Sequence, residues 1–500
     1  MGRLVLHWVC VLALTALPIG GCSDETTAAG GSGGSGDTGG DGGAAGSGGD
    51  GGETWFAFGK DYAHTRANIN ETVIVPATVA DLTVKWTWEA PGMTATPLVV
   101  DGVAYWADWG GSVRAADAVT GEEVWTNSSY GGDLPGVSST PFLSDGYLYV
   151  ALRKGDVVKL DIEDGSEEWN TPVRASKHVH LYGSPSVADG ILVLGVSGNG
   201  TSSDGQPIPE DILDDFFGNV HGIDIESGEI LWVFETTKGP DGTQYGAGVS
   251  VWSSATLDTT RKLAYVGTGN GYYQPVSPYS DALLAIDYMT GELVWHVQFT
   301  EDDDYTSATG GIDADVGATP NLFIIGSREV VGVGDKAGWY HVHDRDTGQR
   351  IWSTNFTTPE GKTIFGSTLG GIMAPAAYHD GVLYIAINHG DLFTVSSMLA
   401  VNAGDGSILW QKSHNGSRNF GAPTYAGGII YTGDAGFLVE TSTLLAYDAD
   451  TGDLLWSEPM PDGRGGGLTI VNGMLYVGQG FHLNRPGSAP LPGSMTAYGL

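Results

Sequence analysis

Asp117-Ala118-Val119-Thr120-Gly121-Glu122-Glu123-Val124-Trp125 decides the fold, because its frame of Asp, Gly four residues on and Trp four beyond that comes back along the chain. It recurs as Asp161–Gly165–Trp169, Asp224–Gly228–Trp232, Asp287–Gly291–Trp295, Asp344–Gly348–Trp352 and Asp448–Gly452–Trp456, with an amide-headed copy at Asn402–Gly406–Trp410. The internal spacing never slips; only the gaps between copies vary. A repeat of roughly 40–60 residues means stacked supersecondary units, so it sets the architecture before any single element is assigned.

Outward from this stretch, each unit reads as four short strands. In the first, Thr96–Val100 starts a strand, Asp101-Gly102 turns, Val103–Ala107 alternates, Gly110-Gly111 turns again, and Val113–Asp117 follows. Asp117 can bond the backbone ahead of it and Gly121 supplies positive φ at no steric cost, which makes a tight turn into the Trp-bearing outer strand. A four-stranded sheet cannot bury both faces alone, so the units must lie against one another in a ring, an all-β propeller.

The ends give the blade number. After the seventh Trp, Leu468–Val477 and Met495–Leu500 supply inner strands without an eighth Gly–Trp ending. Leu82–Trp88 has a Trp-bearing strand with no inner strands before it. Joining them gives eight four-stranded antiparallel blades, the ring closed by the N-terminal strand and its open edges removed; seven is the count if the ends do not combine.

Upstream of the ring, Arg3, the apolar Leu4–Leu17 and the small residues before Cys22 fit a lipoprotein signal over 1–21, cut before Cys22. Residues 22–53 then read as a lipidated cysteine and a disordered Gly/Ser-rich tether, and 54–500 as the propeller. The expectation is a protein anchored by lipid to a bacterial membrane through Cys22, periplasmic or on the cell surface. With Cys10 in the signal and Cys22 lipidated, no cysteine remains for a disulfide, a thiolate metal site or a Cys-x-x-Cys-His haem attachment. The net charge of −37 argues against nucleic acid or anionic lipid as partners.

The Asp-x-x-x-Gly-x-x-x-Trp unit resembles the repeat of pyrroloquinoline-quinone (PQQ) dehydrogenases, a repeat shared with eight-bladed outer-membrane assembly lipoproteins. The repeat alone therefore speaks for fold and not function. Within the family, Phe56–Arg66 and the run Trp252–Asn270 to Asp281–Trp295 look closest to the polyvinyl-alcohol dehydrogenase-like branch.

That resemblance implies a site of four residues spread over three blades. Trp252 matches the indole on which the planar quinone stacks, the alternative being a core Trp wedged between blades. Asn270, in Gly267-Thr268-Gly269-Asn270, matches an amide ligand of Ca²⁺, which accepts carbonyl oxygens; the alternative is an Asn in a strand-end turn. Asp313, in Ile312-Asp313-Ala314-Asp315, matches the catalytic base and a metal neighbour, with Asp302, Asp303 and Asp304 as rivals. Lys336 matches the cation that holds a quinone oxygen, or else is a hairpin-tip lysine in solvent. PQQ and Ca²⁺ are thus the implied cofactors, a small-molecule or polymeric alcohol the implied substrate, and a separate cytochrome or membrane quinone the implied acceptor.

There are departures. No Glu stands near Asn199-Gly200, where a carboxylate ligand belongs; Asn199 or the acidic insertion Asp204–Asp215 are the available substitutes. Pro135-Gly136-Val137-Ser138 stands where an arginine would meet the quinone carboxylates, and the adjacent-cysteine disulfide is absent. His178-x-His180 and His341-x-His343 could pair on a metal, though each lacks a third ligand. The competing reading is a non-catalytic lipoprotein propeller acting as a scaffold or binding module of the outer-membrane assembly type. A third, a polymer-binding propeller, rests on an exposed aromatic insert over Tyr272–Tyr279.

Overall fold

The computed structural model describes residues 54–132, 136–173, 179–198, 216–306, 312–357, 370–389, 395–415, 419, 421–434, 442–460, 466–480 and 493–500. Their strands form eight sheets of up-and-down antiparallel order, with one short 3-10 turn at Val79–Asp81. Blade 1 runs Leu98–Val100, Val103–Ala107, Val113–Asp117 and Glu123–Asn127. Blade 4 runs Thr256–Asp258, Leu263–Gly267, Ala282–Asp287 and Leu293–Gln298; blade 5 runs Asn321–Ile325, Arg328–Gly334, Trp339–Asp344 and Arg350–Asn355. In blade 8 the inner strands Leu468–Val471, Met474–Gln479 and Gly493–Gly499 take their outer strand, Thr83–Ala90, from the N-terminal side, with Trp88 opposite Met495. The ring closes as the two ends require, with eight blades.

The repeat frame turns out to be a joint between blades. Asp117 Oδ1 accepts from the backbone of Val119 and Thr120 at 3.0 and 2.7 Å, and Gly121 sits at φ 73°. The tight turn then presents its glycine to the tryptophan of the preceding blade. A Cβ on Gly165 would lie 2.5 Å from the Trp125 ring, and one on Gly291 2.6 Å from Trp232. Each indole also donates to the turn it covers, Trp125 Nε1 to Ile162 O at 2.8 Å and Trp232 Nε1 to Tyr288 O at 3.0 Å. Trp86 of the N-terminal strand does the same to Ala118 O, with Gly121 under its ring, so the closing blade docks by the rule of the others.

Side chains of neighbouring blades fill the space between sheets. Val193 and Val220 of blade 3 pack with Val266, Leu284 and Ile286 of blade 4 in one buried cluster. Beneath the ring's centre runs a feature the repeat did not announce. The entry segment Trp55–Asn68 crosses the inner strands of seven blades, its carbonyls accepting from Val99, Leu143, Leu257, Leu322, Tyr378 and Tyr425, while Asn68 Nδ2 donates to Ile470 O. It is a hub shared by the inner strands of those blades.

Candidate functional site

Blades 4 and 5 build the site at one end of their inner strands. Trp252 and Asp313 stand in the segments that lead into the first strands of blades 4 and 5; Asn270 and Lys336 follow the second strands of the same blades. The four residues thus come from two adjacent blades and not three. Asp313 belongs to the approach of blade 5, across from the strand end that carries Asn270.

Lys336 is the centre. Its side chain is 8% exposed, and Nζ lies 2.6 Å from Asp313 Oδ1 and 2.7 Å from Asp315 Oδ2. Burial works against its charge, but Asp315 and Asp313 outweigh that and hold the ammonium above the ordinary lysine range. It is no hairpin-tip lysine in water. The same Nζ sits 5.7 Å from the centroid of the Trp252 ring. That ring rests on the chain of blade 5 at Gly317, where a Cβ would come within 1.8 Å of the indole. Only glycine lets the platform lie there.

Asp315 ties this pair to Asn270: its Oδ1 accepts the Asn270 backbone N–H at 2.8 Å, and its own carbonyl accepts from Lys336 N at 3.0 Å. The Asn270 amide is buried and donates to Tyr305 O at 2.7 Å. Of the three rival aspartates, Asp303 has a definite job. It is buried, and its carboxylate accepts from Ala314 N at 2.8 Å, Tyr305 N at 3.2 Å and Asp313 N at 3.3 Å. It anchors the loop that carries Asp313, itself in the left-handed region at φ 57°. Asp303 is thus a support for Asp313.

Two further acids were not legible. Asp315 stood in the quoted motif without a role, and Asp281 lay in an apolar run with no pattern to mark it. Asp281 is fully enclosed, with neither carboxylate oxygen hydrogen-bonded. Burial first, then Asp303, Asp315 and Asp313, push it well above the usual carboxylate range. Four carboxylates about one ammonium are the right donor chemistry for a hard cation. Yet among the described residues no group of three or more His, Cys, Asp or Glu side chains is arranged to hold a metal. Lys336 holds the place between Asp313 and Asp315, so the described residues as they stand do not form a calcium site. An aromatic platform with a cation at its edge does suit a flat anionic quinone.

Other expectations resolve differently. His341 and His343 are blade-interface residues: His341 stacks on Phe299 with centroids 3.8 Å apart and bonds Asp335 and Ser353, and His343 Nδ1 lies 2.9 Å from Gly348 O. The insert Tyr272–Tyr279 is not an exposed aromatic surface, since Tyr272 and Tyr279 are buried, the latter against Phe234 and His296. His178, Asn199, Pro135 and the insertion Asp204–Asp215 lie outside the described residues. A groove of about 640 Å³ at the seam of blades 7 and 8, lined by Glu89, Glu458, Gln479 and Ser494, shares no residue with the Lys336 site. It has size without the platform and cation pairing, and chemistry outweighs volume here.

A family described as "Glucose/ethanol/alcohol dehydrogenase, beta-propeller domain" matches residues 174–368, which contain the whole Lys336 site. One described as "Outer membrane protein assembly factor BamB" matches residues 74–205 and 336–486. Polyvinylalcohol dehydrogenase of Sphingopyxis sp. (strain 113P3) is 31% identical over 198 residues, 35% of this chain and 29% of that protein. Quinohemoprotein alcohol dehydrogenase of Comamonas testosteroni is 26% identical over 346 residues, 60% of this chain and 46% of that one. The matches thus span less than half the length of these relatives. The crystal structure of the Comamonas enzyme superposes with a TM-score of 0.72 at 20% identity, covering 89% of this chain and 80% of that one, a likeness of fold.

Proposed function

The chain belongs to the PQQ β-propeller family, and on that footing we propose that it is a PQQ-dependent dehydrogenase that oxidises an alcohol. The observation that carries the reading is the buried Lys336 ammonium, held by Asp313 and Asp315 beside the Trp252 platform. When bound, PQQ supplies the two-electron acceptor for the hydride from the carbinol carbon. The chain's part is to hold it and to move a proton. Trp252 would give the stacking face, Lys336 would supply a positive charge to the bound quinone, and Asp313 would take the hydroxyl proton as general base. Protonation of Asp313 would remove one of the two carboxylates that balance Lys336 and leave the ammonium's charge less compensated.

Calcium at Asp313 would share that carboxylate with Lys336, which lies on Oδ1. The remaining parts of the proposal rest on sequence: a lipid anchor at Cys22, a periplasmic or surface position, and an external cytochrome or quinone as acceptor. The scaffold alternative draws on the match to the outer-membrane assembly factor. A scaffold gives no reason to keep a buried lysine between two aspartates over an indole, and this favours the enzyme reading.

Titration of the apo-protein with PQQ, with and without Ca²⁺, tests this through tryptophan fluorescence. Saturable quenching is expected, weakened at least about tenfold in Trp252→Ala, since ring stacking contributes on the order of 1 kcal/mol beyond area. Asp313→Asn should keep PQQ affinity and lower dye-linked oxidation of ethanol or polyvinyl alcohol by about 10²- to 10⁴-fold. Absence of binding at micromolar PQQ would remove the dehydrogenase reading and return the scaffold.

A further inference from the structure

At the seam of blades 7 and 8 the apolar packing between blades gives way. In blade 4 the third strand puts Ala282, Leu284 and Ile286 into one buried cluster with Val193 and Val220 of blade 3. The same positions in blade 8, counted back from the last residue of its third strand, are Ser494, Thr496 and Tyr498. With Glu89 and Gln479 of the same blade and Glu458 of blade 7's outer strand, Leu454–Met460, they line the groove of about 640 Å³.

Strand register fixes what the groove presents. Glu89 pairs with Ser494 and Ser494 with Gln479, so the three stand side by side on adjacent strands and share one face of the sheet. Thr496 lies two residues from Ser494 on that face, its Oγ1 3.3 Å from Ser494 Oγ and 3.4 Å from Thr87 Oγ1. Gln479 is 5% exposed, and its Nε2 lies 3.5 Å from Thr496 Oγ1, so its side chain runs along the groove floor. Its Oε1 is buried with no donor. An acceptor left so is costly, and a ligand that brings an N–H or O–H removes the cost. Burial, then the Glu458 carboxylate, raises the Tyr498 hydroxyl, which sets Glu458 against the third strand of blade 8.

The charge says which donor fits. Two carboxylates line the groove and no lysine, arginine or histidine does. An anion would meet only like charge there, and a neutral polyol would satisfy the hydroxyls while leaving both carboxylates without a counter-charge. A bare metal ion needs a cage of a few ångströms, whereas a groove of this volume is the size of an organic ligand's site. An alkylammonium carries both the charge and several N–H donors, and carboxylates accept from it in strong, charge-assisted bonds.

We propose that the seam of blades 7 and 8 binds an organic ammonium ion of the diamine or polyamine class, with Glu89 and Glu458 holding its charged nitrogens and Gln479 Oε1 accepting a further N–H. The site shares no residue with the Lys336 site and stands whether or not the chain is a dehydrogenase.

Calorimetry on the full chain tests this with putrescine and spermidine, with 1,4-butanediol as the uncharged counterpart of putrescine, and with Ca²⁺ alone. Saturable amine binding is expected, at least about tenfold tighter than the diol. Glu89→Gln and Glu458→Gln should each weaken it by about 10- to 100-fold, the range of a charge-assisted hydrogen bond, and Gln479→Met by about 2- to 10-fold. Glu168→Gln, an exposed acid on the outer strand of blade 2, controls for attraction to the net charge of −37 and should leave binding unchanged. No amine binding at millimolar concentration overturns the proposal, as does equal affinity for the diol. So does a loss in Glu168→Gln as large as in the groove variants, or full binding in Glu89→Gln, Glu458→Gln or Gln479→Met. Ca²⁺ that displaces the amine and loses its own binding in the two glutamate variants would make the groove a metal site instead.

Discussion

Lys336 is held by two carboxylates in a buried place, and such a triad is judged by what remains when one member goes. Lys336→Met leaves Asp313 and Asp315 facing each other without a counter-charge, beside Asp303 and Asp281. Breaking a buried ion pair in this way costs about 3–5 kcal/mol, so urea unfolding of Lys336→Met should show a loss of that order. Lys336→Met combined with Asp315→Asn should recover a substantial part, because one of the stranded charges is then gone. A single variant as stable as wild type would mean the ammonium is not buried between the aspartates. At this scale the sequence was informative where a residue stood in a short motif, as Trp252, Asn270, Asp313 and Lys336 did. It was mute on Asp281 and on the division of labour in Asp302–Asp304, because which of three adjacent acids turns inward depends on backbone amides ten residues away.

The hairpin with its tryptophan is the element that makes a ring out of sheets, and two kinds of glycine separate its contributions. Gly190 and Gly291 share the same backbone state, φ 80° and 78°. A Cβ on Gly190 meets nothing within 4 Å, while one on Gly291 meets the Trp232 ring at 2.6 Å. Gly190→Ala should therefore cost only the left-handed penalty, about 1 kcal/mol. Gly291→Ala should add the overpacking cost of pushing back an indole, typically a further 1–3 kcal/mol. Chemical denaturation of the two variants measures the difference, and equal losses would show that the Trp–Gly contact does not hold neighbouring blades together. The fold was legible because this contact needs both residues at fixed spacing in every blade. The blade count followed from the same rule, with Trp86 supplying the missing ring on the N-terminal strand. The entry segment carried no repeat, so its path across the inner strands could not be read.

His64 in that segment, with His221 and His343 in the blades, is buried and should tie the stability of the whole molecule to pH. His64 lies in the hub, 2% exposed, next to Arg66, with its carbonyl accepting from Asn321 Nδ2 at 2.7 Å. Burial, then the Arg66 charge, lower it from 6.5 to about 3. Burial likewise lowers His221 and His343 to about 4. In each case the folded chain refuses a proton that the unfolded chain accepts below pH 6.5. The stability these neutral rings contribute is thus complete above pH 6.5 and is lost as pH falls toward 4. Each such group contributes a slope of about 1.4 kcal/mol per pH unit over that window, so the three together should lower stability as pH falls from 6.5 toward 4. Protonating His64 also sets a second positive charge beside Arg66 at the point where the hub meets blades 5, 6 and 7. Unfolding free energies measured at pH 7, 6 and 5 should fall steeply in wild type, and His64→Gln should flatten the fall by about one histidine's share. An unchanged slope in that variant would put the acid sensitivity elsewhere and leave the hub a passive brace.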